Sequence, residues 1–87
     1  MKTLKVGDLI NCDDEMCLVL SVSETYNHDL NEVNHFGRDV TASKRIEVRN
    51  LTLMEDESLM WVKYLKGSPR SEYYNLEAEM PVDVSHV

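Results

Sequence analysis

The chain has 87 residues, with 9 basic against 16 acidic side chains and a formal net charge of −7. This length has room for one hydrophobic core, so we expect a single domain over residues 1–87. Because affinity for nucleic acid depends largely on neutralising phosphates, the acidic balance argues against non-specific binding to DNA or RNA. A hydrophobic content of 43% is too high for a disordered chain.

The sequence also bears on location. No apolar run approaches the roughly 18 residues that a helix needs to span a bilayer. The N-terminal residues Lys2 and Lys5 are basic, but the apolar stretch of a secretory signal does not follow them. We therefore expect a cytoplasmic protein.

Two apolar runs flank an acidic turn near the N-terminus. Residues 4–12 and 16–23 are predicted to form the first two strands, joined by Asp13-Asp14-Glu15. The second strand is apolar on both faces, at Leu18, Leu20 and Val22 and at Cys17 and Val19. This pattern is typical of a strand in the middle of a sheet or one that bends around a barrel.

The polar stretch 24–44 interrupts the strand pattern. Its few apolar residues are Leu30, Val33, Phe36 and Val40, and the first three have the spacing of a short helical turn. We predict a long inserted loop here. Loops of this length are often functional, so this segment is the first candidate for a binding surface.

Strand three is predicted to begin near Arg45, with apolar residues at even positions. After Asn50 the apolar residues Leu51 and Leu53 fall at odd positions, so the apolar face shifts by one residue. Such a shift predicts a bulge or a tight bend that turns a barrel corner.

The remaining residues alternate between turn and strand signals. A turn at 55–58 is followed by predicted strands at 59–65 and 72–76, a short helical turn at 77–79 and a terminal edge strand at 81–84. Five or six short strands in a chain of this size predict an all-β fold, a small antiparallel barrel with one long inserted loop at 24–44.

Four segments carry a resemblance to a known family: residues 5–10 (KVGDLI), residues 18–22 (LVLSV), Trp61-Val62, and residues 73–76 (YYNL). Together they resemble the small SH3-like barrel proteins of tailed bacteriophages, and the similarity spans the chain except for residues 24–44. The resemblance implies an SH3-like barrel, a habit of binding other molecules and a viral protein in the cytoplasm of the host cell. Most members of this family have no assigned activity, and no functional residue is transferred from it.

Two cysteines and two histidines raise the possibility of a metal site. Cys12, Cys17, His28 and His35 could supply a tetrahedral zinc site. However, four residues separate the cysteines, whereas a zinc knuckle has two, and Cys17 lies in an apolar run. We expect two free cysteines, no metal and no cofactor.

The acidic turns are the other candidates for chemistry. Asp13-Asp14-Glu15 and Glu55-Asp56-Glu57 lack the interleaved spacing and the central glycine of a calcium loop. We expect them to be solvated turn tips. The chain also has no nucleophile elbow and no phosphate-binding glycine loop, so we expect a protein that is not an enzyme.

The leading functional hypothesis is an interaction module that binds a host or viral protein. Its expected contact residues are the aromatic and histidine side chains of the long loop and of strands four and five, namely Tyr26, His28, His35, Phe36, Trp61 and Tyr73. Adjacent Tyr73 and Tyr74 must face opposite ways in a strand, so we expect one of them to be exposed. A self-complementary edge strand could instead form a homodimer.

Two alternatives come from the charge pattern. The segment 38–50 carries four bases against two acids, so Arg38, Lys44, Arg45 and Arg49 could bind nucleic acid, with an affinity that falls steeply with salt. In the second alternative the chain is an acidic decoy that imitates nucleic acid and occupies a host enzyme. That role requires carboxylates gathered on one face of the fold.

Overall fold

The computed structural model describes residues 3–29, 39–67 and 71–87, and these ranges contain strands and turns but no helix. The all-β prediction is confirmed. The strands are β1 (Leu9–Cys12), β2 (Glu15–Val22), β3 (Tyr26–Asn27), β4 (Val40–Asn50), β5 (Glu55–Tyr64), β6 (Tyr73–Asn75), β7 (Met80–Pro81) and β8 (Val84–His86).

The strands form one antiparallel sheet in the order β7-β6-β5-β4-β2-β1-β8, and β3 pairs with the first half of β4. The two terminal strands of this order, β7 and β8, are consecutive in the chain and are separated only by Val82 and Asp83. The sheet therefore curls into a half-barrel, which is compatible with a small SH3-like barrel.

The core lies on the concave side of the sheet. Its fully buried side chains alternate along the central strands, so that Ile10 of β1, Val19 of β2, Val48 of β4 and Leu59 of β5 all point inward. Leu4 packs into the same core from the N-terminal segment. The strand expected from residue 4 begins only at Leu9, because the chain turns at Gly7, whose φ of 91° glycine readily adopts.

β4 begins earlier than expected, at Val40 rather than near Arg45. Ala42 and Ser43 pair with β3 on one side and with β5 on the other, so residues 40–44 are strand and not loop. Polar side chains at alternate positions hid this strand, although Val40 and Ala42 are both buried. The helical turn predicted around Leu30, Val33 and Phe36 lies outside the described residues.

The corner after Asn50 is a tight turn between two long strands, so of the two forms predicted at this point, a bulge or a tight bend, the structure has the tight bend. Residues 51–54 make the turn, Met54 has a φ of 57°, and β5 starts directly at Glu55. Leu51 and Leu53 are therefore exposed and do not continue the core face. The acidic segment 55–58, expected to be a turn, is the first part of β5, where Glu55 pairs with Asn50.

The C-terminal segment also differs from the elements predicted for it. Residues 76–79 form the connection between β6 and β7, in which the Asn75 side-chain oxygen accepts a hydrogen bond from the backbone of Ala78 at 2.9 Å. No helical turn forms there. The expected edge strand 81–84 is split, because Pro81 ends β7 and Val84 begins β8.

Candidate functional site

A cleft of about 230 Å³ opens beside Trp61 on the concave side of the sheet. Its floor is apolar and includes Leu4, Ile46 and Tyr73, which are all buried. Trp61 is half-buried and packs against the core. Small-molecule pockets usually have volumes of about 300–1,000 Å³, so this cleft has the size for a single large side chain rather than a cofactor.

The rim of this cleft is charged. Lys44 pairs with Trp61 across β4 and β5, and its Nζ lies 5.7 Å from the centroid of the Trp61 ring. This distance is within the range of a cation–π interaction. Glu72 adds a carboxylate to the lining. The structure thus brings Trp61 and Tyr73, two predicted contact residues, to the same cleft.

Tyr73, however, does not provide the exposed surface expected of a contact residue. Its side chain is 5% exposed, because its pairing with Trp61 places it on the core side of β6. Tyr74 points to the opposite side, where its hydroxyl lies 2.5 Å from that of Tyr64. Tyr64 and Tyr74 line a second cleft, of about 290 Å³, beside Met60.

The described part of the predicted loop site is attached to β4. Tyr26 is exposed, and its ring meets His28 edge-on with 4.6 Å between the ring centroids. His28 is buried, and its Nε2 is hydrogen-bonded to Ser43 Oγ at 3.1 Å. His35 and Phe36 lie outside the described residues.

The predicted basic site is divided between two faces of the sheet. Lys44 is on the same side of β4 as the core, whereas Arg45 and Arg49 point outward. Arg45 Nε lies 2.6 Å from Glu47, and Arg49 Nε lies 2.8 Å from Asp56. Arg38 lies outside the described residues. The three described bases therefore do not form one basic surface.

A polar network on the outer side of β4 and β5 includes a buried serine. Ser58 Oγ donates to Glu47 at 2.5 Å and accepts from Arg45 at 3.2 Å, and the Ser58 backbone N–H lies 3.1 Å from the Glu77 carboxylate. The Ser58 hydroxyl and then Arg45 lower the pKa of Glu47. A carboxylate with a lowered pKa is a weak general base, so this network suits a structural role.

Cys12 and Cys17 are free and buried, which confirms the prediction of free cysteines. Burial raises the pKa of both thiols, and the two side chains are close enough to hydrogen-bond to each other. Within residues 3–29, 39–67 and 71–87, no group of three or more His, Cys, Asp or Glu side chains could hold a metal ion.

A third surface, on the convex side of β1 and β2, has only a weak signal in the sequence. We define the outer aliphatic face as Leu9, Met16, Leu18, Leu20 and Leu51. Leu18 is half-buried, and the others are 37–42% exposed. Leu9 lies directly opposite Leu18, and the Leu51 backbone N–H donates to the Met16 carbonyl at 2.8 Å.

The alternation of β2 explains this exposure. Cys17 and Val19 point into the core, so Leu18 and Met16 point outward. A β-bulge between Val19 and Ser21 leaves Leu20 exposed and returns Val22 to the inner side. The signal in the sequence was a strand that is apolar on both faces. Such a pattern is typical of a strand in the middle of a sheet or barrel, whereas Met16 and Leu20 of β2 are exposed.

Acidic residues gather at one end of this face. The Met16 backbone N–H donates to Thr52 Oγ1 at 3.1 Å, which joins the turn after β1 to the turn after β4. The Asp13 backbone N–H donates to the Asp83 carbonyl at 2.9 Å, and the Asp83 backbone N–H donates to the Asp13 carboxylate, also at 2.9 Å. The acidic residues Asp13 and Asp83 therefore lie at the same end of the sheet as the turn after β4.

Comparison with known proteins does not assign a family: no family model, curated protein or solved structure matches the chain. No helix in the described ranges is long and apolar enough to cross a membrane. Of these three surfaces, which are formed by described residues, only the outer aliphatic face exposes several large apolar side chains together.

Proposed function

We propose that this chain is a non-enzymatic protein-interaction module that binds a partner protein through the outer aliphatic face. The observation that carries the proposal is the exposure of four neighbouring aliphatic side chains, Leu9, Met16, Leu20 and Leu51, at 37–42% each. Exposed apolar side chains that are grouped on one face mark interaction sites on small proteins.

Complete burial of a leucine or methionine side chain is worth about 1.5–3 kcal/mol. A partner that covers this face would gain part of that amount from each side chain, and Leu18 between them would be buried completely. The Trp61 cleft is a weaker candidate, because Trp61 already packs against the core and the floor of the cleft belongs to it.

The resemblance to phage SH3-like barrels supports a narrower form of the proposal. In that form the chain is a small viral accessory protein in the host cytoplasm, and its partner is a host or a phage protein. The half-barrel is compatible with that family's fold. Arg45 and Arg49 are each paired with a carboxylate, so nucleic acid is less well supported as the partner.

The test is affinity capture from bacterial lysate, quantified by mass spectrometry. The double variant Leu9→Ser/Leu20→Ser changes the face, and Val6→Ser is the matched control because Val6 is 66% exposed and lies outside it. We expect at least one protein whose recovery falls about tenfold or more with the double variant and is unchanged with the control. If every captured protein is recovered equally with all three chains, the proposal is wrong.

The acidic decoy is a second candidate, favoured by the gathering of Asp13, Asp83 and the residues around Glu55 at one end of the sheet. It makes a different prediction. A captured partner of a decoy should bind DNA or RNA, and the chain should displace that nucleic acid in a competition assay. A partner that binds both at once would exclude the decoy.

A further inference from the structure

We infer that the cleft beside Trp61 binds a free amino acid with an apolar or aromatic side chain. The cleft is on the concave side of the sheet, so this site is separate from the outer aliphatic face and the inference does not depend on the proposed function. Its volume of about 230 Å³ suits one large side chain. The contacts and charges around it indicate which molecule brings that side chain.

The floor of the cleft is apolar and is formed before any ligand binds. Leu4, Ile46 and Tyr73 are between 2% and 5% exposed, and all three belong to the core. The half-buried ring of Trp61 lies beside them. A preformed apolar and aromatic surface loses little conformational entropy when it takes up a ligand.

Two opposite charges lie on the two sides of Trp61. Lys44 pairs with Trp61 on β4, and Tyr73 pairs with it on β6. Glu72 is fixed beside β5, because its carbonyl accepts the Val62 backbone N–H at 2.8 Å. Burial and then the negative charge of Glu72 raise the pKa of Tyr73, so this carboxylate lies near the floor. A cation and an anion therefore border the same apolar floor from opposite sides.

These two charges are available to a ligand. Within the described ranges, neither Lys44 nor Glu72 forms an ion pair. By contrast, Arg45 and Arg49 on the outer side of β4 have carboxylates at 2.6 and 2.8 Å. Lys44 Nζ instead lies 5.7 Å from the centroid of the Trp61 ring, and this contact keeps the ammonium group at the cleft.

A free amino acid matches all parts of this site. At pH 7 it carries a carboxylate and an ammonium group, which complement Lys44 and Glu72, while its side chain covers the floor. Thr3 and Thr25 also line the cleft, and each hydroxyl group can donate or accept a hydrogen bond.

Other occupants fit less well. An apolar side chain of a partner protein would take both charges of the rim out of water without pairing them, which costs free energy. A fatty acid or a nucleotide would be attracted by Lys44 but repelled by Glu72. Only a ligand with both charges close to an apolar group satisfies the cation, the anion and the floor together.

The probe is L-phenylalanine, titrated into the full chain at neutral pH. Trp61 is the only tryptophan in the sequence, so its fluorescence reports directly on this cleft. We expect a saturable change with a Kd of about 1 mM or lower, and NMR amide shifts centred on Leu4, Lys44 and Trp61. Glycine has both charges but no side chain, and it should bind at least about tenfold more weakly.

Two derivatives test the charges separately. N-acetyl-phenylalanine lacks the ammonium group and phenylalanine amide lacks the carboxylate, so each should bind at least about threefold more weakly than phenylalanine. Lys44→Gln should weaken the binding of phenylalanine but not of the amide. Glu72→Gln should weaken the binding of phenylalanine but not of the N-acetyl derivative.

The matched controls are Lys66→Gln and Glu55→Gln, which alter exposed charges that do not line the cleft. Neither should change the affinity for phenylalanine, and dispersed NMR spectra will show that every variant is folded. The absence of saturable binding up to about 10 mM phenylalanine would overturn the inference. So would amide shifts centred on the outer aliphatic face. Equal binding of N-acetyl-phenylalanine would overturn it as well, because the cleft would then recognise the end of a polypeptide.

Failure of this inference can be told from failure of the proposed function. The proposed function depends on Leu9 and Leu20 and is measured by protein capture, whereas this site depends on Lys44 and Glu72 and is measured with a small molecule. A chain that captures a partner but does not bind phenylalanine contradicts only the inference. A chain that binds phenylalanine but captures no partner through the face contradicts only the proposed function.

Discussion

The side-chain amide of Asn50 donates to the Glu57 carboxylate across the hairpin of β4 and β5, with 3.3 Å between nitrogen and oxygen. Its oxygen accepts the backbone N–H groups of Thr52 and Leu53. One fully buried polar side chain thus satisfies two donors of the turn and links both strands. The position of the exposed Leu51 and Leu53 depends on this arrangement.

We expect Asn50→Ala to lower the free energy of unfolding by about 2–3 kcal/mol, because it leaves two backbone N–H groups without their acceptor. Urea denaturation followed by circular dichroism measures the change. The control is Thr52→Val, which removes a single exposed acceptor of the Met16 N–H and should cost about 1 kcal/mol or less. Equal losses in both variants would show that the buried amide has no special role.

Two leucines on different strands of the sheet should respond differently to truncation. Leu59 is fully buried in the core, whereas Leu20 is 40% exposed on the outer aliphatic face. We expect Leu59→Ala to cost about 2–5 kcal/mol and Leu20→Ala about 1 kcal/mol or less. Thermal or urea unfolding of the two variants gives the comparison. A large loss for Leu20→Ala would mean that this side chain serves the fold rather than a partner.

The contrast between these leucines shows what the sequence could and could not predict. The apolar residues of β2 predicted a strand inside a sheet, and β2 does lie between β1 and β4. They could not predict which face is the core, since both faces are apolar and the bulge at Leu20 changes the phase. The pairing with neighbouring strands, as between Val19 and Val48, determines which face of β2 belongs to the core.

The turn predicted at 55–58 lies at 51–54 in the structure, for a related reason. Glu55 and Asp56 have the composition of a turn, and Leu51 and Leu53 have the composition of a strand. The buried Asn50 side chain reverses these preferences by accepting the backbone N–H groups of Thr52 and Leu53, two and three residues later, in the local turn that asparagine favours. Likewise, its aromatic character predicts Trp61 as a contact residue, but its charged neighbours Lys44 and Glu72 come from other strands or connections.

The two cysteines should be unreactive in the native protein. Burial raises the pKa of Cys12 and Cys17, which lowers the fraction of the reactive thiolate below that of an exposed cysteine. We expect the thiol reagent DTNB to label neither residue in the folded chain on the timescale of minutes. Both should react rapidly in 6 M guanidinium (a concentration well above about 5 M, at which even hyperstable proteins unfold). Fast labelling of the native protein would show that this part of the core opens readily.

The ion pair of Arg45 and Glu47 should make the free energy of unfolding increase as the pH rises through the acidic range. The Ser58 hydroxyl and then Arg45 lower the pKa of Glu47 in the folded state. The folded chain therefore binds this proton less tightly than the unfolded chain does. The resulting stabilisation is complete above about pH 5 and is lost as the pH falls through the lowered pKa.

We therefore expect Glu47→Gln to be less stable than the wild type at pH 7, and the difference to shrink as the pH falls toward 3. Because the Glu47 side chain is 38% exposed, solvent screening should limit the difference to about 1 kcal/mol. Urea unfolding at several pH values measures it, with Glu24→Gln as an exposed control. A difference that stays constant from pH 7 to pH 3 would mean that Glu47 stabilises the fold by packing and not by its charge.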